Sequence, residues 1–94
     1  MRAEYDSTAD ALSIDLIEVD RWEGSDAVDD TYCRVAFAGG LPVNVELLSP
    51  SEHLDLLGVA ATRHGLDAQA LQAAARSALA APDRTVVLDV LAPA

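Results

Sequence analysis

The sequence predicts an α+β domain: an antiparallel four-stranded meander followed by two α-helices and a C-terminal fifth strand. Three observations carry that expectation. Before residue 49, apolar residues recur at every second position in three stretches: Leu12, Ile14 and Leu16; Cys33, Val35 and Phe37; Val43, Val45 and Leu47. A period of two turns one face of each stretch towards a core. At Ser49 the spacing becomes helical, and over 84–91 the alternation returns. The 94 residues suffice for one domain, read as a β-meander over 1–48, a helical pair over 49–82 and a terminal strand over 84–91.

Taken in order, Arg2 to Tyr5 reads as a first strand. Asp6 and Ser7 follow, with short oxygen-bearing side chains that bond back to turn amides and favour a reversal. The second strand carries Leu12, Ile14 and Leu16 on one face and can extend to Val19. Asp20 to Asp30 reads as a polar connection broken by Gly24, with Trp22 folding back onto a sheet face. Thr31–Ala38 and Leu41–Leu48 form a hairpin about Gly39-Gly40, two adjacent residues that tolerate positive φ. Pro42 cannot donate to a ladder, which places it at a strand start or on an edge.

Ser49-Pro50-Ser51-Glu52 has the form of a capping box, with Ser49 as N-cap and Glu52 reaching back to it. The helix that follows is expected to run to about Arg63 and to end on Gly65 as a left-handed cap. Gly58 within it would let another backbone approach closely. Asp67 is read as the N-cap of the second helix, which buries Leu71, Ala75, Ala78 and Leu79 before Pro82-Asp83 stops it. The spacing of Arg84–Leu91 leaves open whether the last strand returns to its own sheet or pairs with another chain.

Acidic residues number 16 against six basic ones, all of them Arg, for a net charge of −10. Such a surface repels nucleic acid and anionic lipid and attracts basic proteins. The single cysteine, Cys33, excludes an internal disulfide and suits a reducing, cytoplasmic setting. With no apolar run near 18 residues and no basic-then-apolar leader, neither a membrane span nor a signal peptide is expected. Exposed apolar positions such as Ile17, Leu48 and Leu91 lead to the expectation of a homodimer.

No catalytic constellation stands out. Cys33, His53 and His64 are the only thiol or imidazole ligands, too few and too scattered for a structural zinc site. An inward-facing cysteine in a strand is more often inert packing than a nucleophile paired with His53. The expectation is therefore a non-enzyme with no metal and no cofactor. Its candidate partner-binding residues are Tyr5, Asp6 and Asp10 at the first turn, with Asp26, Asp29 and Asp30 in the polar connection. Ala61, Gly65 and Leu71 keep helix-turn-helix spacing, so the alternative is a DNA-binding regulator reading through Gln69, Gln72 and Arg76. One Arg on that helix is a poor match for a phosphate backbone. A small hydrolase or metal-dependent enzyme is the second alternative.

Tyr5-Asp6-x-x-Ala9-Asp10-Ala11-Leu12-x-Ile14-x-Leu16, then Val28-Asp29-Asp30, then Val43-Asn44-Val45-Glu46-Leu47-Leu48 together resemble the small bacterial family called domain of unknown function 2283. The resemblance spans roughly residues 3–55. Here Ala38-Gly39-Gly40 stands where that family commonly carries an Asp-rich turn, and Pro42 where an aliphatic residue is usual. Members resemble the acidic partner in two-gene toxin–antitoxin arrangements. The resemblance thus implies an antitoxin-like module that engages a small basic protein.

Overall fold

A computed structural model describes residues 1–88. The described chain is α+β, with six strands in one antiparallel sheet and three helices. The strands are β1 (Arg2–Asp6), β2 (Ala11–Asp15), β3 (Gly24–Asp29), β4 (Cys33–Ala38), β5 (Leu41–Leu48) and β6 (Thr85–Val87). Between β5 and β6 lie α1 (Pro50–His53), α2 (Asp55–His64) and α3 (Ala68–Ala80). In the sheet the strands lie in the order β3-β4-β5-β2-β1-β6.

That order corrects the simple four-stranded meander. The polar connection contains a strand, β3, and residues 16–23 carry the chain past β5 and β4 to the far edge. β2 stays beside β5, where Leu12 faces Leu47 and Ile14 faces Val45. β2 and β5, each buried along one face, thus meet at the centre, and β3 and the short β6 take the edges. Such an edge strand needs few apolar residues, and Ala27 and Val28 are all that β3 offers. Trp22 is 49% exposed.

One face of the sheet carries the core. Ala3, Leu12, Ile14, Cys33, Val35, Val45 and Leu47 pack against Leu57, Ala60 and Ala61 of α2 and Leu71, Ala74, Ala75 and Ala78 of α3. Alanines on the helices bring their backbones close to the sheet, and the leucines supply most of the buried apolar area. The other face presents Arg2, Glu4, Ser13, Asp15, Asn44, Glu46 and Arg34, which alternate with the core set.

The single helix expected from Pro50 is divided at Leu54, and the capping box does not form. Ser49 adopts a left-handed conformation, φ 47°, and makes no side-chain cap bond. Its amide donates to the Asp10 carbonyl instead, fastening the exit of β5 to the end of the first turn. The Leu54 carbonyl accepts from the Leu57 amide and from Gln72 Nε2, so the ladder restarts there. Other local signals hold. Gly39 and Gly40 both have positive φ, Gly65 closes α2 at φ 67°, and Asp67 accepts from the Ala70 amide. β6 returns to its own sheet, with Val86 opposite Ala3 of β1. The remainder of the predicted strand, residues 89–91, lies outside the described residues.

The expectation for Gly58 also changes, because a Cβ there would meet nothing within 4 Å. Gly58→Ala is therefore expected to stabilise the protein by about 0.5–1 kcal/mol through helix propensity. Gly65→Ala, equally free of clashes but held at positive φ, is expected to destabilise it by about 1 kcal/mol. Urea unfolding of the two variants should move the midpoint in opposite directions. Equal shifts would contradict this reading of the two positions.

Candidate functional site

Tyr5, Asp6 and Asp10 come together at the turn between β1 and β2. Asp6 Oδ1 accepts from the amides of Thr8 and Ala9, which closes the turn. The Tyr5 hydroxyl donates to Asp10 Oδ1 at 2.6 Å. That bond, with burial and the nearby carboxylates acting in the same direction, raises the phenol above its ordinary pKa. The Ser7 amide and hydroxyl both donate to Asp83, at 2.8 and 2.6 Å, and the Asp83 amide donates to the Tyr5 carbonyl. The hydroxyl bond first, then the amide bond, lowers the Asp83 carboxyl below its usual range. Asp10, Ser49 and Asp83 are the non-glycine residues at positive φ among those described, and all three adjoin this turn. Aspartate tolerates that region better than most side chains, and clustered backbone strain is a common mark of functional sites.

Asp29 and Asp30 lie at the same end of the sheet. Leu48 follows Asp6 and Ala11 across it, and the Leu48 amide donates to the Tyr32 carbonyl in the β3–β4 turn. Asp29 Oδ1 accepts from the Tyr32 and Thr31 amides, the first contributing most to lowering its carboxyl pKa. Asp30 is exposed. Beside it the Tyr32 ring stacks on His53, with centroids 3.8 Å apart. His53 Nδ1 lies 3.0 Å from the Ser49 carbonyl.

Asp26 does not join this group. It sits opposite Val35, where α2 ends, and its Oδ2 lies 2.9 Å from His64 Nε2 and 3.2 Å from an Arg63 nitrogen. The His64 bond, then the Arg63 bond, holds its carboxyl below the usual range. His64 also meets Phe37 edge-on, and Arg63 reaches the Ala27 carbonyl. The contribution of Asp26 to stability is complete above the unfolded-chain value of about 4 and is lost as pH falls through the lowered folded value. Asp26→Asn is therefore expected to lower stability at neutral pH, with the deficit narrowing below about pH 4. Paired denaturant titrations across that range check this; a constant deficit would contradict the ion-paired role.

Cys33 is buried in the core, and desolvation first, then Asp29, pushes its thiol up to about 11. A protonated, enclosed thiol is a weak nucleophile. Among the described residues no group of three or more His, Cys, Asp or Glu side chains converges to hold a metal ion. No described helix is long and apolar enough to cross a membrane. Of the DNA-reading candidates, Gln72 is tied to the Leu54 carbonyl, while Gln69 and Arg76 are exposed. Ile17 is half-exposed, Leu48 is partly buried, and Leu91 lies outside the described residues.

Sequence reasoning missed the partners of these carboxylates. Asp83 meets Ser7 across 76 positions and Asp26 meets His64 across 38, and no local pattern announces either contact. It also missed Asn44, which is 1% exposed on the face away from the helices. Asn44 Nδ2 donates to Ser13 Oγ and Asp15 Oδ1, and its Oδ1 has no hydrogen-bond partner.

No protein-family model matches the chain, and neither a curated protein nor a solved structure matches it.

Proposed function

We propose that this chain is an acidic, non-catalytic protein-interaction module, an antitoxin-like partner for a small basic protein. The observation that carries the reading is the turn-end cluster: Asp6, Asp10 and Asp83 are exposed and held in place by Ser7, Tyr5 and the turn amides. Asp30 stands exposed at the neighbouring turn. Carboxylates already fixed by internal bonds lose little freedom on meeting a cation, which favours recognition by pre-organisation. The net charge of −10 adds long-range attraction for a basic partner. The resemblance of residues 3–55 to a family without a settled activity, whose members resemble the acidic partner in toxin–antitoxin pairs, supports the same direction. Co-purification from the native host at low salt is expected to recover a small basic protein that raised salt releases. Recovery of the acidic chain alone under all salt conditions would overturn the reading.

A further inference from the structure

The two edges of the sheet are guarded differently. β3 has a bulge between Ala27 and Asp29, carries Asp26 and Asp29, and has its Ala27 carbonyl engaged by Arg63. Bulges and edge charges of this kind discourage strand addition. β6 has neither: Thr85, Val86 and Val87 are uncharged, their register with β1 is regular, and Val87 is 73% exposed. Among the described residues no strand pairs with its outer side.

The ladder fixes which backbone groups face outwards. Met1 and Leu88 exchange both bonds, at 3.3 and 2.9 Å. Antiparallel pairs alternate between bonded and non-bonded, so Ala3 and Val86 form the next bonded pair. Thr85 and Val87 therefore direct their amides and carbonyls away from β1, towards the open edge. Their side chains line two hollows on the polar face, of about 320 Å³ beside Glu4, Ser13 and Asp15, and about 230 Å³ beside Leu16 and Glu18. Arg2, which lines both, is held by Asp15 and Glu18 at 3.4 and 3.0 Å. The linings of the two hollows carry Glu4, Asp15 and Glu18 against Arg2 and the Met1 amino group.

We propose that the outer edge of β6 accepts an extended basic segment of a partner protein as an added strand. This rests on the acidic-module reading and gives the partner its binding mode. Main-chain bonds to Thr85 and Val87 supply the affinity, and alternate basic side chains reach over the polar face towards Glu4 and Glu18. A second copy, itself carrying −10, is disfavoured at this edge by charge.

The test is an NMR titration of the full chain, at low salt, with a blocked octapeptide of alternating lysine and valine. The Thr85 and Val87 amides are expected to shift most and to become protected from exchange, and a glutamate–valine octapeptide is expected not to bind. Val87→Pro removes an outward-facing N–H and none of the bonds to β1, so it is expected to abolish binding while the Ala3 and Val86 amides keep their protection. Glu4→Lys is expected to weaken binding roughly fivefold. Undiminished binding by Val87→Pro overturns the proposal. So does protection of Thr85 and Val87 that rises with protein concentration alone, which would assign the edge to a second copy. Shifts confined to the Asp6–Asp10 or Asp29–Asp30 turns overturn the added strand and leave the acidic module standing; no binding of the lysine peptide overturns both.

Discussion

Asn44→Asp is expected to destabilise the protein by about 3–5 kcal/mol at neutral pH, the scale for leaving a buried charge uncompensated. The Asn44 amide nitrogen sits 2.8 Å from Asp15 Oδ1 and 2.9 Å from Ser13 Oγ. The substitution removes both donors and sets a second carboxylate against Asp15, in a position only 1% exposed. Two carboxylates so close cannot both ionise readily, so the pair takes up a proton at raised pKa. A raised folded value means the deficit is greatest at neutral pH and shrinks as pH falls through the range where the pair protonates. Asn44→Ala provides the contrast. It deletes the unpartnered Oδ1 together with the donors, and Asp15, one-third exposed, can turn to water. Its expected cost is about 1–2 kcal/mol with little pH dependence. Denaturant midpoints for both variants across the acid range check the pair. Equal costs with parallel pH profiles would contradict the arrangement.

Leu71→Ala is expected to cost about 3–4 kcal/mol. The fully buried residues of α3 are Leu71, Ala74, Ala75 and Ala78, so one leucine supplies most of the apolar volume by which that helix grips β1 and β2. Its neighbours are alanines close to the sheet, with backbones that cannot collapse far into the void. For a domain of this size, whose stability is of order 5–10 kcal/mol, the loss corresponds to a fall of about 15–25 °C in Tm. Calorimetry or urea unfolding measures it directly. A cost below about 1 kcal/mol would mean that α3 is held mainly by something else.

The contrast between these two residues shows which features the sequence revealed. Leu71 could be read at once, because helical spacing after the Asp67 cap marks it as inward-facing. The central strands were readable for the same reason: Leu12 and Ile14 alternate on β2, and Val43, Val45 and Leu47 on β5. The Gly39-Gly40 turn and the Gly65 cap follow from backbone chemistry that neighbouring residues impose. Asn44 was not legible, since its position opposite the core set marks it as solvent-facing, and its burial depends on what lies on adjacent strands. β3 escaped because an edge strand can form with little apolar content once Arg63 and His64 meet Asp26 from another element. Ser49 shows the reverse failure. A local motif for a capping box was present, but the tertiary bond from its amide to Asp10 fixed a conformation in which the side chain cannot cap.

The acidic residues divide in the same way. Composition announced the charge and the first turn located Tyr5, Asp6 and Asp10. Only the folded chain separates the half-buried Asp26 and Asp29 from the exposed set at the turn end. Asp83 joined that set without any sequence signal, because its partner Ser7 lies at the other end of the chain.

The most direct measurement is the association rate constant with the basic partner recovered by co-purification, followed by stopped flow as ionic strength rises from about 20 mM to 500 mM. If the exposed carboxylates steer the encounter, the rate constant is expected to fall by about tenfold or more, with Asp6→Asn, Asp10→Asn and Asp83→Asn combined in one variant reproducing part of that fall at low salt. A rate constant that is flat in salt and unaffected by the triple substitution would contradict an acidic surface as the basis of what this protein does.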